Sequence, residues 1–366
     1  MWIQLDNDRF TSEEIKEGNY PTPLNPFHQA VLDFSHDWLN GKEHFELQTS
    51  GSTGLPKKIE VTRNQLKASA QLSASVLGLQ KNFNSLVCLD VRYIGGVMMI
   101  VRSLEVGMNM IIMEPSSNPF EKMDTRFTID FIAIVPLQLE AILKSPQRDM
   151  LNKINTALIG GAAINPKTIK DIEGMKCNFF ATYGMTETLS HIALQKLNGP
   201  NAQDYFESLP GITLSQDERG CLKIFAPHIS DEPTTTNDLI EFITPSQFRW
   251  LGRADTIINT GGVKVIPEKV ETSIRVVLDH LDITNRFFVA ALPDTLLGES
   301  VNLFFEGIPF QKEMEDMIQK KIKETVNRFE RPKSIQYLSA FVNTDTGKIN
   351  KGKTIASMIH GGQKNT

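Results

Sequence analysis

The stretch TSGSTGLPKK, residues 49–58, decides how the rest of the chain is read. It places two glycines, three hydroxyls beyond that of Thr49, a proline and two lysines in ten residues. Glycine permits tight turns and close approach of backbone to a ligand. Successive backbone N–H groups in such a loop can form an anion-binding nest. The spacing is not that of the nucleotide loop G-x-x-x-x-G-K-[ST], because a loop begun at Gly51 would need a glycine where Pro56 stands.

Outward from the loop, FELQTS reads as a strand running in and KKIEVT as a strand running out. Residues 25–40 form an amphipathic helical pattern that stops near Asn40 and Gly41. Thr62 and Gln65 make a capping-box pair that opens a helix through NQLKASAQLSASVLGL. Short apolar runs then recur: SLVCLDV, MNMIIM, FIAIVP, TALIGG and FFATYGMTET. Helical patterns such as PLQLEAILKS lie between them, which predicts an α/β fold with sheets buried on both faces. Several runs end in a polar or glycine-bearing loop, where open α/β sheets bind ligands. Beyond residue 210 the pattern turns β-rich, and the last hundred or so residues read as a compact α+β domain. The predicted division is 1–254 and 255–366.

Composition narrows the function classes. A net charge of -5 gives no general attraction to nucleic acid. Cys88, Cys177 and Cys221 are too far apart for a zinc site and fit buried thiols in a reducing cytoplasm. The N-terminus lacks the basic and apolar regions of a signal peptide. The most apolar stretch, residues 93–113, is broken by Arg102 and Glu105 and reads as a buried helix and strand rather than a membrane span. Oligomeric state, monomer or homodimer, stays open.

TSGSTGLPK closely resembles the phosphate loop of the adenylate-forming superfamily, which includes acyl-CoA synthetases, luciferases and peptide-synthetase adenylation domains. YGMTET (183–188) resembles its second core motif. TNDL (236–239) resembles its T-G-D motif, with Asn237 replacing the glycine. WLGRADTIINTGGVKVIPEKVE (250–271) resembles its hinge motif, and TDTGKINK (344–351) its C-terminal motif. The matches fall in the family's order from about residue 45 to 351. The resemblance implies a large α/β domain, truncated at its N-terminal side, and a small mobile α+β domain. It implies an acid–thiol ligase with ATP, Mg²⁺ and CoA.

The roles implied follow position by position. Thr49, Ser50, Gly51, Ser52, Thr53, Gly54 and Lys57 would hold the β- and γ-phosphates. Thr186 would bond a phosphate oxygen, and Glu187 would ligate Mg²⁺. Tyr183, Gly160, Gly161 and Ala162 would flank the adenine. Asp238 and Arg253 would hold the ribose, and Lys348 would stabilise the adenylation transition state. Asp255 would be the hinge, with Gly261, Gly262 and Lys264 on the CoA path. Taken singly, each charged residue could equally be a surface or turn residue.

The acid is less legible. The early phosphate loop and Ser190 and His191 after the core motif resemble the compact o-succinylbenzoate–CoA ligases of menaquinone synthesis. Where many relatives carry an aromatic-His gate, this chain has Arg92 and Tyr93. A dicarboxylate with one carboxyl activated needs a lasting cation for the other, and arginine supplies one. Arg92 is the candidate, with Ser190 and His191 as polar contacts. A ligase for another aryl or short-chain acid, an enzyme loading a carrier protein, and a silent nucleotide-binding protein are the alternatives.

Overall fold

The structure is a computed structural model that describes residues 1–22, 25–48, 58–344 and 348–362, with side chains to residue 358. The chain divides into two compact units. The first comprises Met1–Leu214, Ile224–Thr234 and Ile243–Phe248. The second comprises Ser215–Lys223, Thr235–Phe242 and Arg249–Thr366.

In the first unit the strands run in the order Phe206–Ser208, Ser190–Lys196, Asn178–Met185, Thr156–Ile159, Phe131–Ile134, Asn84–Val87, Asn109–Ile112, Trp2–Leu5 and Asp8–Thr11. The strands from Asn178–Met185 to Trp2–Leu5 pair in parallel. The outer pairings are antiparallel. The predicted apolar runs supply these parallel strands except Trp2–Leu5, which the sequence reading did not single out. Phe131–Ile134 and Thr156–Ile159 are buried at every residue, as strands covered on both faces must be. One core cluster joins Leu86, Ile132, Ile134, Ile159 and Phe179 to helix residues Leu139 and Ile142. Burying each such side chain contributes about 1.5–3 kcal/mol.

The helices begin and end where local chemistry says. Arg63–Leu77 is opened by the Thr62 and Gln65 capping box and closed by Gly78 in the left-handed conformation. Pro26–Leu39 is capped by Asn25 and stops at Asn40. Ile94–Val106 is different: its residues Gly96 through Ser103 are all buried, so it has no polar face. His44–Gln48 and Lys58–Thr62 form an antiparallel hairpin on either side of the glycine loop.

The second unit carries a sheet in the order Val263–Val265, Ile258–Thr260, Gly298–Glu306 and Phe287–Asp294, with Ser334–Leu338 parallel to Gly298–Glu306. Helices Pro267–His280 and Lys312–Thr325 bury Val270, Ile274, Ile318 and Ile322 against it. Among the described residues no helix is long and apolar enough to cross a membrane.

Candidate active site

Several of the described sequence-predicted residues of the first unit sit at or just past the carboxyl ends of its parallel strands. Gly160, Gly161 and Ala162 follow Thr156–Ile159, and Tyr183 lies near the end of Asn178–Met185. The register pairs Ile159 with Ala181. Extended by two residues, it puts Gly161 level with Tyr183. Gly160 packs on Thr182: a Cβ there would meet Thr182 Oγ1 at 2.5 Å. The Tyr183 ring is held against Phe248 edge-on at 5.2 Å and against Phe206 at 5.8 Å.

The turn after Tyr183 is tightly made. Met185 N–H donates to Thr188 Oγ1 at 2.9 Å. Leu189 and Ser190 take φ of 51° and 151°, values that side chains rarely adopt and that concentrate at functional sites. Gly184 lets the chain fold back: a Cβ there would lie 2.1 Å from the Ser190 carbonyl oxygen and 2.5 Å from His191 Cα. The turn buries Thr186 and leaves Glu187 exposed. Among the described residues no group of three or more His, Cys, Asp or Glu side chains converges. A lone carboxylate beside a hydroxyl suits Mg²⁺, which binds through one or two carboxylates plus phosphate oxygens.

The same fold-back brings Ser190 and His191 to Arg102, a residue the sequence reading treated only as an interruption. Arg102 is 2% exposed and His191 6%. Arg102 Nη2 donates to Ser190 Oγ and lies 3.4 Å from His191 Nδ1, which is 3.2 Å from Ser190 Oγ. Arginine can only donate, so Nδ1 is the acceptor and the His191 proton sits on Nε2. Arg102 Nε and His191 Nε2 are buried with no hydrogen-bond partner. No carboxylate among the described residues pairs with Arg102. Burial lowers the Arg102 pKa to about 10, so it stays charged at neutral pH. Burial first, then the Arg102 charge, drives the His191 pKa well below the ordinary range. The cluster is a buried cation with two unmatched donors, and the chemical complement of that is an anionic acceptor. The available signal was an arginine within a helix lacking any polar face.

Arg92 stands elsewhere. Its side chain is 72% exposed and its guanidinium grips Asp90 through Nε and Nη2. Burial alone would raise the Asp90 carboxyl, but the Arg92 hydrogen bonds outweigh it and hold it low. Neighbouring Tyr93 bridges in parallel to Gln48, the last described residue before the glycine loop. Thr49, Ser50, Gly51, Ser52, Thr53, Gly54 and Lys57 lie outside the described residues, as do 345–347 of the C-terminal motif.

In the second unit, Asp238 is 9% exposed and accepts from Trp250 Nε1 at 3.3 Å. Arg253 Nη1 lies 3.6 Å from Asp238, and its Nη2 donates to Asp255 at 2.7 Å. That hydrogen bond raises the Arg253 pKa and lowers the Asp255 pKa. Lys348 is exposed as a residue, yet neighbouring protein crowds its ammonium. Desolvation first, then the Arg253 charge, lowers its pKa, and Asp238 opposes them. Gly261 and Gly262, with φ of 57° and 81°, make the two-residue turn between Ile258–Thr260 and Val263–Val265. Lys264 is exposed on the second of these strands.

Residues 47–215 match the family model described as AMP-binding enzyme. A crystal structure of an acyl-CoA synthetase (AMP-forming)/AMP-acid ligase II-like protein from Dyadobacter fermentans is 40% identical, over 93% of this chain and 97% of that one, with a TM-score of 0.61. The 2-succinylbenzoate–CoA ligase of Lactococcus lactis is 24% identical over 87% of this chain and 72% of its own length. O-succinylbenzoate coenzyme A synthetase from Bacillus subtilis, solved with ATP and magnesium ion, shares the fold at 21% identity, over 85% of this chain and 69% of that one, with a TM-score of 0.70. The chain therefore belongs to the AMP-forming acyl-CoA synthetase family of adenylate-forming enzymes and is an acid–thiol ligase.

Proposed function

We propose that this ligase activates o-succinylbenzoate with ATP and passes the acyl group to CoA, releasing AMP and pyrophosphate. The observation that carries the choice of acid is Arg102, a buried cation with no carboxylate partner among the described residues. Similarity to ligases named for 2-succinylbenzoate supports the same acid. In this reading Arg102, through Ser190 and His191, receives the carboxylate that is not activated. Ser190 is the half-buried member and the point of approach.

The activated carboxylate attacks the α-phosphorus, and the bond from that phosphorus to the bridging oxygen breaks. The 49–57 loop holds the departing pyrophosphate with amides, hydroxyls and Lys57. Tyr183, Gly160, Gly161 and Ala162 orient the adenine, while Asp238 and Arg253 orient the ribose. Lys348 offsets charge at the α-phosphate. Magnesium, when bound, would neutralise polyphosphate charge; Glu187 would hold it, while Thr186 bonds a phosphate oxygen. The CoA sulfur then attacks the acyl carbonyl and AMP leaves. Gly261, Gly262 and Lys264 serve that step after a change of backbone at Asp255.

An acid panel tests the proposal: o-succinylbenzoate, benzoate, phenylacetate and short fatty acids, each scored for CoA thioester and for AMP. O-succinylbenzoate should give the highest kcat/KM. Equal or better turnover of a monocarboxylate would overturn the assignment of the acid. Acyl-adenylate without thioester would point to a carrier-protein acceptor.

A further inference from the structure

Within the second unit, helix Pro267–His280 directs two carboxylates, Glu268 and Glu271, from its first turns. Three residues apart, they share one face of the helix. Glu271 Oε1 accepts from Lys351 Nζ at 2.7 Å and from the Val289 backbone N–H at 2.6 Å. Lys351 also lies 3.9 Å from Glu268 and 3.5 Å from the Val289 carbonyl. Burial pushes the Glu271 carboxyl up, and the Lys351 charge opposes that shift. Glu268 in turn accepts from Thr256 Oγ1 at 3.0 Å, one residue from Asp255.

Lys351 opens helix Lys351–Gly362 and stands three residues after Lys348. The segment between is pinned on one side by short pairings. Thr344 N–H donates to the Lys348 carbonyl at 2.8 Å, and Asn350 N–H to the Val342 carbonyl at 2.7 Å. Lys348 N–H donates to Thr344 Oγ1 at 3.1 Å. These bonds set the local shape of the segment, and each joins residues of the segment itself. Arg286 Nη2, donating to Asn343, and the packing of Ile349 against Phe288 and Phe304 hold it to the body of the unit, and the bond from Lys351 to Glu271 adds a charged tie on its C-terminal side.

We propose that Lys351 is a positioning residue for adenylation: paired with Glu271, it holds the loop that carries Lys348 in register with the rest of the second unit. This rests on the reading of Lys348 given above. A catalytic cation on a long side chain works only where its loop is fixed, and a displacement near 1 Å can cost roughly 100-fold in rate. Glu268, on the same helix, holds the Asp255 segment through Thr256 at 3.0 Å and lies farther from Lys351 than Glu271 does, so breaking the Lys351 bond should disturb adenylation more than the thioester step.

The test compares Lys351→Met, Lys351→Arg and Lys348→Ala in the full chain, with the acid that the wild-type enzyme turns over. Adenylation is followed by acid-dependent exchange of pyrophosphate into ATP, and thioester formation by supplying preformed acyl-adenylate and CoA. Lys351→Met should lower kcat for adenylation by roughly 10- to 100-fold. Its KM for ATP and its thioester step should stay near wild type, and Lys351→Arg should recover most of the loss. Equal loss in both half-reactions means a structural role and overturns the inference. So does an Arg variant as slow as the Met variant. Adenylation lost in Lys348→Ala but unchanged in Lys351→Met overturns this inference alone. Adenylation unchanged in Lys348→Ala overturns the reading of Lys348 and this inference with it.

Discussion

The two charged clusters of this protein are built on opposite terms. In the second unit, Asp238, Arg253 and Asp255 satisfy one another: the guanidinium is gripped by Asp255 and leans on Asp238, which also accepts from Trp250. Arg253 and Asp255 are each about one-third exposed, so the pair is solvated and its members can exchange partners at modest cost. In the first unit, Arg102 is buried on a helix with no polar face and meets the buried His191 and half-buried Ser190 of strand Ser190–Lys196, and two of the cluster's donors have no acceptor. Charge buried without a partner is costly, by several kcal/mol even after relaxation. A cluster that tolerates rearrangement suits a changing set of contacts, and one that stays unmet suits a fixed ligand group.

Replacing Arg102 puts that contrast at greatest risk. Arg102→Met keeps the apolar stem and removes the cation. Truncating one partner of a buried charge pair costs about 2–5 kcal/mol of binding, roughly 30-fold or more. The kcat/KM for the dicarboxylate should fall by that factor while KM for ATP holds. The same change should leave the folded protein as stable or more so, by about 1–2 kcal/mol, because an unpaired buried charge is gone. Arg92→Ala, at a 72% exposed site already paired with Asp90, should leave KM for the acid unchanged. Chemical denaturation and steady-state kinetics on the two variants read both quantities. An Arg102 variant that loses stability and keeps its acid KM would mean the cluster is structural.

That outcome bears on what the sequence could show. The glycine and polar motifs after Thr156–Ile159 and Asn178–Met185 were legible because each ends an apolar run, and an α/β sheet puts such loops at the carboxyl ends of its strands, so Gly160, Tyr183 and Thr186 fall together in the first unit. In the second unit, Asp238 and Arg253 sit on strands Thr234–Thr244 and Gln247–Arg253, where no such rule applies. Arg102, proposed to face the acid, was not legible in the same way. Arg92 stood where a gate residue was expected, but an aspartate two positions earlier captures it. The same local pattern recurs at Asp124 with Arg126 and at Asp217 with Arg219. Arg102 carried no motif. Its burial follows from helix Ile94–Val106 being covered on all sides, and neighbouring strands decide that rather than local spacing. Strand Ser190–Lys196 was missed for a related reason: it is an antiparallel addition, with a register shift between His191 and Ala193.

A smaller effect is expected at Gly184, which sharpens the contrast by testing how the unmet cluster is assembled. The new methyl of Gly184→Ala would meet the Ser190 carbonyl and His191 Cα, both backbone atoms, well inside van der Waals contact. Neither can rotate away, so the fold-back between strands Asn178–Met185 and Ser190–Lys196 must open. Overpacking of this kind costs about 1–3 kcal/mol. Because the displaced atoms carry Ser190 and His191, KM for the acid should rise along with the loss of stability. Tyr183, Thr186 and Glu187 flank Gly184 on the same strand and turn, so KM for ATP should rise as well. A rise confined to ATP would detach the fold-back from acid binding.

The smallest effect concerns protons. His191 is neutral in the folded protein, its pKa driven down by burial and by the Arg102 charge. In the unfolded chain it titrates near the ordinary value of about 6.5. Above that value neither state binds the proton, and the histidine adds no pH dependence. Below it the unfolded chain takes up a proton that the folded protein refuses, so stability falls as pH drops, by up to about 1.4 kcal/mol per pH unit. The loss continues until the depressed folded pKa is reached. His191→Asn has no proton to take up, so it should flatten that part of the stability profile between pH 7 and 5, as measured by urea denaturation at several pH values. Arg102→Met should steepen nothing and should narrow the window, because removing the neighbouring charge lets the imidazole protonate at a higher pH than before. A profile unchanged in both variants would mean that His191 already shares its proton with a partner, and the cluster would then be satisfied like its counterpart in the second unit.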